Sequence, residues 1–384
     1  MTPETVLYVD LEPGSRVEAM KLAGVRRYAE ACGWKVEPLS EAESRPRGLR
    51  RTLAKVKPIG CIVECAGGHA DLPPRVFGKT PVVYLDGCRS LYRGRAHGVF
   101  HDGAATARAA FRELQSNRPE AFALVGWTKR VFWSSIRERA FREMVRETGL
   151  PFFWFRSRGE TAAERQVRLS GWLSRLPLRC AVFAVNDLMA TEVVQAAVRV
   201  GLKIPADFTL LGVDNDEGLC GGGLVELSSM QIDFERAGYC AAEVLNEAIR
   251  RNAESFERRM FGPLLAVRRE STRGFGRREP RITAAMDMIR AKSCDGLLAS
   301  DVVKELGGSR RLSELRFREA IGHSILDEII SVRLDRVIQM LRDRKMPIQL
   351  IAERSGFRTG RALRKIFHQR MGMSLSEWRK LNAE

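Results

Sequence analysis

The sequence has few of the side chains that hold metals or carry out common enzyme chemistry. Its 384 residues include five histidines and eight scattered cysteines, with no CxxC pair and no zinc-finger spacing. There is no P-loop, no GxGxxG after a predicted strand, no HExxH and no GxSxG. We therefore expect no metal, no cofactor and no catalytic residue.

Long apolar segments are also missing. No uninterrupted apolar run approaches the roughly 20 residues of a membrane helix, and the first residues lack the basic and apolar regions of a secretory signal. Apolar residues make up 45% of the chain, an ordinary share for a soluble protein. These features predict a cytoplasmic protein with no membrane partner.

Positive charge is abundant, and it is concentrated near the C-terminus. The net charge is +17, which favours a polyanionic partner. Residues 277–384 hold 23 Lys and Arg against 14 Asp and Glu, about three times the net charge density of the rest. Arginine exceeds lysine by 52 to 12 over the whole chain, so charge alone is weak evidence for DNA binding.

The first 270 residues alternate short apolar runs with helical patterns, as in a parallel sheet covered by helices. Strands are predicted at 5–10, 59–64, 82–86, 121–126, 152–155, 181–186 and 209–214. Helices are predicted at 16–32, 103–115, 134–148, 161–175, 189–200 and 234–251. Residues 268–280 are charged, contain glycine and end in proline, as expected of an exposed linker. We divide the chain into a sensing domain at 1–270, a linker at 271–280 and a DNA-binding domain at 281–384.

Two helix-turn-helix patterns occupy the C-terminal region, at 296–323 and 347–373. Each has a short amphipathic helix, a turn with glycine and a second helix rich in arginine. A long helix predicted at 326–344 joins them and sets the spacing of the two recognition helices. To read one face of DNA, these should enter successive major grooves about 34 Å apart. This arrangement predicts sequence-specific binding to double-stranded DNA.

The C-terminal region resembles the AraC-type DNA-binding domain. The residues that carry the resemblance are Ser309-Arg310-Arg311, Glu314 and Phe317 in the first unit, and Ile351-Ala352-Glu353, Gly356-Phe357, Phe367 and Gly372 in the second. The chain departs from the family at Ser313, Leu315, Leu375 and the run Arg361-Ala362-Leu363. Leu363 and Phe367 still form an apolar face that seats the second recognition helix.

The segment 180–218 resembles the LacI-type, periplasmic-binding-protein-like sensor. Asn186-Asp187 follows a predicted strand, Gly201 to Pro205 leads to the next strand, and that strand ends in Gly212-Val-Asp214. Arg137, four residues before Phe141, matches the family's Arg-x-x-Gly-Phe segment, with Ala140 in place of glycine. The resemblance implies an α/β two-lobed periplasmic-binding-protein-like sensor, here followed by an all-α domain with two helix-turn-helix units.

Polar residues at strand ends are the candidate ligand contacts. Ligands of open parallel sheets bind beyond the carboxyl ends of strands, where Asp86, Asn186 and Asp214 can accept hydrogen bonds from a sugar. Arg137 supplies donors, and Trp127 or Trp133 could cover an apolar ring face. Each could instead be a loop residue or a helix cap. Asp10 and Glu12 are weaker candidates after the first strand, and Asp102 is expected to cap a helix.

Exposed polar residues of the two recognition helices are the candidate DNA contacts. Individually they could equally be solvated faces of core helices, and the sequence does not separate base contacts from phosphate contacts. The predicted set is Arg310, Arg311, Glu314, Arg358, Arg361, Arg364 and Lys365.

The domain order narrows the interpretation, because a LacI-type sensor here precedes an AraC-type domain. That order is similar to xylose-responsive activators of sugar operons. The resemblance implies a transcription regulator, most simply a homodimer, that answers to a sugar effector and activates a sugar-utilisation operon, with RNA polymerase as a further partner. Two alternatives remain open: a regulator whose cleft answers to a protein partner, and a sugar-modifying enzyme fused to a DNA-binding tail.

Overall fold

The computed structural model describes residues 4–10, 14–66, 72–87, 96–128, 131–251, 256–274, 280–321, 323–341, 346–371 and 373–382. Within these ranges the chain forms two α/β lobes followed by a helical domain. None of the described helices is both long and apolar enough to span a membrane.

The first lobe starts with short strands that alternate with helices. Its opening elements are β1 (Thr5–Val9), α1 (Arg16–Cys32), β2 (Lys35–Pro38), α2 (Glu41–Ser44), α3 (Pro46–Val56), β3 (Gly60–Glu64), β4 (Val82–Leu85) and β5 (His97–His101). Helix α1 begins at a capping box formed by Ser15 and Glu18, which satisfies backbone N–H groups of the first turn. It ends at Gly33, whose φ of 70° suits a residue without a Cβ.

The second lobe repeats the same alternation. Its elements are α4 (Gly103–Gln115), β6 (Ala121–Val125), α5 (Phe132–Thr148), β7 (Phe152–Phe155), α6 (Ala162–Leu173), β8 (Cys180–Ala184), α7 (Asp187–Arg199), β9 (Phe208–Val213), α8 (Glu217–Cys220) and β10 (Ser228–Ile232). The central strands β6, β8 and β9 are buried along their whole length. That burial explains why they read as continuous apolar runs.

The chain then returns to both lobes. Helix α9 (Phe234–Arg251) and strand β11 (Arg258–Phe261) complete the first lobe, and β12 (Pro263–Val267) completes the second. The first sheet has the order β11-β5-β4-β3-β1-β2 and is parallel throughout. The second has the order β12-β10-β9-β8-β6-β7, with only β12 antiparallel. Three crossings, after β5, β10 and β11, therefore connect the lobes.

Helices α1 and α9 approach each other so closely that glycine is required at the contact. A Cβ on Gly238 would lie 1.8 Å from the carbonyl oxygen of Lys21, and one on Gly24 would lie 1.9 Å from that of Glu235. Both obstacles are backbone atoms, which cannot rotate away. The two glycines thus bring α1 against α9 and fix where the Lys21 side chain enters the first lobe.

The sequence predictions locate seven of the described strands of the sensor and miss five others. The seven predicted strands and six predicted helices of the sensor correspond to observed elements, and α1, α4 and α9 have the predicted bounds. The predictions miss β2, β5, β10, β11 and β12. Several of their sequences, such as SSMQI in β10 and RRMF in β11, lack an apolar run, although PLLAV in β12 is apolar. They form because neighbouring strands offer them hydrogen bonds, a tertiary cause that local pattern does not show.

The first part of the predicted linker is not exposed, which corrects the sequence interpretation. Ser271 is fully buried, its hydroxyl donates to the Leu210 carbonyl at 2.6 Å and it accepts from the Ser228 amide at 2.8 Å. The Asn117 amide donates to the Thr272 carbonyl at 2.7 Å. The charged sequence with glycine predicted an exposed linker. Instead, serine and threonine hydroxyls hold the residues up to 273 against the second lobe. Residues 275–279 lie outside the described ranges.

The C-terminal domain contains helices and no strand among its described residues, as predicted. Its helices are α10 (Pro280–Lys292), α11 (Ala299–Leu306), α12 (Arg310–Ile321), α13 (Ile325–Leu341), α14 (Ile348–Arg354), α15 (Gly360–Met371) and α16 (Leu375–Asn382). The pairs α11–α12 and α14–α15 are the two predicted helix-turn-helix units. The long helix α13 joins them, and the last residues of its predicted range, 342–344, lie outside the described ranges.

A glycine of the second unit and an arginine of α13 both contact the segment that follows α10. Gly356, in the turn of the second unit, has a φ of 76°, and a Cβ there would lie 2.5 Å from the Ser293 carbonyl oxygen. Arg333 of α13 donates to the same Ser293 carbonyl at 2.8 Å and to the Leu297 carbonyl at 2.7 Å. These contacts fix the second unit's turn against the segment that precedes the first unit.

Candidate functional site

Two of the three predicted acceptors, Asp86 and Asp214, directly follow strands whose carboxyl ends face the space between the lobes. Their φ values are 58° and 105°, a region that non-glycine residues rarely adopt and that often accompanies function. Asn186 instead caps α7, where its side chain accepts from the Met189 amide at 3.0 Å. The structure gives Asn186 the helix-cap role, while its contact with a ligand stays a prediction.

The next residue, Asp187, explains why the Asn-Asp pair precedes α7. Its buried carboxylate accepts from the Ser229 hydroxyl at 2.6 Å and from the Asp216 amide at 2.8 Å. Burial raises the pKa of Asp187 to about 6. A Cβ on Gly212 would lie 2.2 Å from the same carboxylate. Asp187 therefore holds the loop that carries Asp214.

A buried lysine that the sequence predictions missed holds Asp86. Lys21 is fully buried, and its Nζ donates to Asp86 Oδ2 at 2.7 Å and to Glu64 Oε1 at 2.9 Å. The position of Lys21 could have been found from periodicity, because it shares the apolar face of α1 with Gly24 and Val25. Glu64 could have been found by the same strand-end rule that found Asp86.

The three charges change one another's ionisation. Burial alone would lower the pKa of Lys21, but Asp86 and Glu64 together raise it above its ordinary value. Burial raises the pKa of Glu64 to about 7 although Lys21 opposes the change. Burial also acts to raise the pKa of Asp86, but Lys21, His101 and Arg137 outweigh it and lower that pKa. Asp86 is thus the carboxylate that stays ionised.

Arg137 connects the two lobes, as its predicted place at the cleft requires. Its Nη1 donates to the Val185 carbonyl at 2.6 Å, and its Nη2 lies 3.3 Å from Nδ1 of His101, at the end of β5. Burial and the neighbouring Arg137 lower the pKa of His101 to about 3, so the ring is neutral. Because a guanidinium can only donate, Nδ1 accepts, and Nε2 donates to the Thr106 hydroxyl 3.0 Å away.

Asp214 and Trp133 lie beside the same guanidinium, and Trp127 packs against Trp133. Arg137 Nη2 lies 3.7 Å from Asp214 Oδ1, and Cζ lies 5.1 Å from the centroid of the Trp133 ring. Trp127 in turn lies 5.5 Å from Trp133 between ring centroids. Burial raises the pKa of Asp214 to about 7, against the lowering effect of Arg137.

Several buried polar atoms around this cluster have no hydrogen-bond partner among the described residues. They are Tyr8 Oη, Glu64 Oε2, Asp86 Oδ1 and Arg137 Nε. Buried polar atoms are seldom left unpaired, so acceptors and donors from both lobes remain for a polyhydroxylated ligand.

The remaining predicted residues of the sensor lie outside this cluster. Asp10 is buried beside Ser44, and Glu12 lies outside the described ranges. Asp102 caps α4 by accepting from the Ala105 amide at 2.7 Å, as predicted.

In the first helix-turn-helix unit, Arg310 and Arg311 are exposed and have no carboxylate within ion-pair distance among the described residues. Glu314 differs, because its carboxylate accepts from the Ile325 amide at 3.4 Å and so has a partner within the domain. Ser313 and Leu315, where the chain departs from the family pattern, are buried and exposed respectively.

The second recognition helix, α15, presents a basic face to solvent. Leu363 and Phe367 are fully buried, as predicted, and seat the helix on its core. Its exposed residues Arg361, Arg364 and Lys365 have no carboxylate within ion-pair distance among the described residues, and neither does Arg358, which is exposed in the turn before the helix. Ser374 and Glu377 form a capping box at the start of α16, with the two amide-to-side-chain distances at 2.7 and 3.1 Å.

Comparison with known proteins finds relatives of both the sensor and the helical domain. A family model described as a periplasmic binding protein-like domain matches residues 109–272, and one described as a helix-turn-helix domain matches residues 302–381. The chain is 27% identical to the xylose operon regulatory protein of Escherichia coli K12, over 79% of each chain. It is 25% identical to the protein of that name from Haemophilus influenzae, over 72% of this chain and 73% of that one. A solved structure of a xylose-binding transcription activator has the same fold, with a TM-score of 0.60 and 23% identity over 100% of this chain and 99% of that one.

Proposed function

We propose that this chain, a DNA-binding transcription regulator that joins a periplasmic-binding-protein-like sensor to an AraC-type helix-turn-helix domain, activates a sugar-utilisation operon when a pentose binds its cleft. The observation that carries the proposal is the buried cluster at the lobe boundary. Arg137 of the second lobe contacts His101 of the first, beside unpartnered atoms of Asp86 and Glu64. The names of the relatives favour xylose as the sugar.

The cluster suits a sugar because it offers donors and acceptors together. Vicinal hydroxyls need both, and Asp86 accepts while Arg137 donates. Asp214 and Asn186 extend the acceptors, and the tryptophans Trp127 and Trp133 offer an aromatic face. A ligand that touches Asp86 in one lobe and Arg137 in the other binds the closed arrangement more tightly than an open one.

The effect on DNA follows from linkage. A sugar shifts the equilibrium between sensor states only by its differential affinity for them, and the DNA affinity changes by the same factor in return. We propose that two copies of the chain associate, so that recognition helices α12 and α15 of each copy face the operator together. The DNA contacts we assign are Arg310, Arg311, Glu314, Arg358, Arg361, Arg364 and Lys365.

Three further features belong to the same proposal. The protein acts by binding and not by catalysis, it works in the cytoplasm, and its DNA-bound form contacts RNA polymerase. The relatives are regulatory proteins by name, which supports the first of these.

Calorimetry with the full chain and a panel of neutral sugars tests the proposal. We expect D-xylose or another pentose to bind, and Arg137→Ala to weaken that binding at least about tenfold because buried charged hydrogen bonds are lost. Arg146→Ala is the control, since Arg146 is exposed on the same helix α5. Fluorescence anisotropy with operator DNA should then show a sugar-dependent affinity. Equal sugar binding by wild type and Arg137→Ala, or turnover of any sugar, would overturn the proposal.

A further inference from the structure

A second cavity lies at the other side of helix α5, at the carboxyl ends of β6 and β7. Its volume is about 470 Å³, within the range of small-molecule sites. Trp127 and Gly126 line it from the end of β6, Arg139 and Arg142 from α5, and Arg156 from the end of β7. Of the residues assigned to the cleft, Trp127 also lines this cavity, whereas Asp86, Arg137 and Asp214 do not.

The cavity carries excess positive charge. No carboxylate lies within ion-pair distance of Arg139, Arg142 or Arg156 in the part of the chain that the structure describes. Arg165 and Arg168 of the same lobe, by contrast, have carboxylate partners. The one acidic side chain lining the cavity, Glu138, already accepts from the Ser134 hydroxyl at 2.5 Å. The lining residues therefore leave a net charge of about two for a ligand.

Trp154 organises these donors. The Arg156 Cζ atom lies 3.4 Å from the centroid of the Trp154 ring, and the Arg142 Cζ atom lies 5.4 Å from it. A guanidinium stacked on a ring directs its N–H groups sideways, so Arg156 is oriented before any anion arrives. The Trp154 Nε1–H is a buried donor with no acceptor among the described residues, and it lies beside Gly126.

We propose that this cavity is a second effector site, for a phosphate monoester of a small organic molecule. Arginine forks match the oxygens of a phosphate and supply paired, charge-assisted hydrogen bonds. The cavity is larger than inorganic phosphate needs, and the Trp127 ring provides an apolar wall for the organic part. A neutral sugar, as proposed for the cleft, could not neutralise these three arginines. We therefore assign a neutral ligand to the cleft and an anionic ligand to this cavity.

Calorimetry on the full chain tests the site with glucose 6-phosphate, ribose 5-phosphate and adenosine monophosphate, at about 150 mM salt to screen non-local charge. Inorganic phosphate and glucose serve as comparison ligands. We expect at least one ester to bind more tightly than inorganic phosphate. The double variant Arg142→Gln, Arg156→Gln should weaken ester binding at least about tenfold. Trp154→Phe, which keeps a ring but removes the N–H donor, should weaken it by a smaller factor.

Two controls separate this site from its surroundings. Arg146→Gln removes a neighbouring exposed charge of α5 and should leave ester binding within about twofold of wild type. Arg137→Ala alters the cleft and should also leave it unchanged, so failure of the cleft proposal would not affect this one. Four results would overturn the proposal: no binding by any of the three esters, equal binding of inorganic phosphate, equal loss in Arg146→Gln, or loss in Arg137→Ala without loss in the double variant.

Discussion

The Nζ atom of Lys21 lies 2.7 Å from Oδ2 of Asp86, and both side chains are buried in the first lobe. The contact uses one carboxylate oxygen and leaves the other, Oδ1, unpartnered among the described residues. Lys21 thereby keeps Asp86 ionised and fixes its orientation at the end of β4. Asp86, the strongest acceptor of the proposed cleft, therefore depends on Lys21, although Lys21 itself need not contact the ligand.

Replacing Lys21 should therefore affect stability as well as the site. Lys21→Met leaves the carboxylates Asp86 and Glu64 buried without their cation, and breaking such a pair costs about 3–5 kcal/mol. We expect the free energy of unfolding from urea titration to fall by that order. The loss should be smaller at acidic pH, where protonation removes the repulsion. Lys55→Met, at an exposed position of α3, is the control, and an equal loss there would contradict the argument.

The glycine contact between α1 and α9 predicts a second stability effect. A Cβ at Gly238 meets the Lys21 carbonyl oxygen, which is backbone and cannot move aside. We expect Gly238→Ala to destabilise the chain by about 1–3 kcal/mol or more, as overpacking does. Gly171→Ala is a matched control in helix α6, because a Cβ there has no atom within 4 Å. That control should be neutral or stabilising by up to about 1 kcal/mol, and a similar loss in both variants would count against the contact.

Asp214 predicts a pH dependence. Burial raises its pKa to about 7, so the folded state holds a proton that the unfolded state releases near its ordinary value of about 3.9. Its contribution to stability is fully present below that ordinary value and is lost as pH rises through about 7. Asp214→Asn cannot ionise.

We therefore expect the melting temperature of Asp214→Asn, relative to wild type, to increase by a few degrees between pH 5 and pH 8. Thermal unfolding followed by circular dichroism measures this directly. Asp287→Asn, in the exposed part of α10, should show no such trend. A difference between Asp214→Asn and wild type that stays constant over this pH range would mean that Asp214 ionises normally.

The basic face of the recognition helices predicts changes in DNA binding. Arg311→Ala and Arg361→Ala should each weaken operator binding by about 1–3 kcal/mol, and more than they weaken binding to random DNA. Anisotropy titrations on the two DNAs at fixed salt measure the ratio. Arg290→Ala, on helix α10 and close to Asp287, is the control. A uniform loss on both DNAs would identify the residue as a phosphate contact.

Much of the sensor could be predicted because its central strands and helices have strong local patterns. The buried strands β6, β8 and β9 read as apolar runs, and α1 is bounded by a capping box and a glycine that are visible in the sequence. The edge strands could not be predicted in that way. Arg258 to Phe261 forms β11 only because β5 lies alongside it.

Those residues of the candidate site that stand at a strand end or in a family motif could be predicted from the sequence. Those that reach the site through the packing of distant elements could not. Asp86, Asp214 and Arg137 follow from position and residue type, and the structure brings Arg137 within 3.7 Å of Asp214. Lys21 comes from a helix far away in sequence, so only the fold shows that it holds Asp86. The observed role of Asn186 is to cap helix α7, because its side chain accepts a hydrogen bond from the amide of Met189.

The burial of Ser271 and Thr272 shortens the tether between the sensor and the DNA-binding helices. Only residues 275–279 separate Gly274 from the start of α10 at Pro280. A fully extended chain of this length reaches roughly 20 Å, so α10 begins within about that distance of Gly274. A ligand can then change the orientation of the recognition helices α12 and α15 relative to the sensor, but it cannot move the start of the helical domain far from the sensor. In the dimer that we propose, the geometry of the two sensors would therefore set which separations between operator half-sites the protein can bridge.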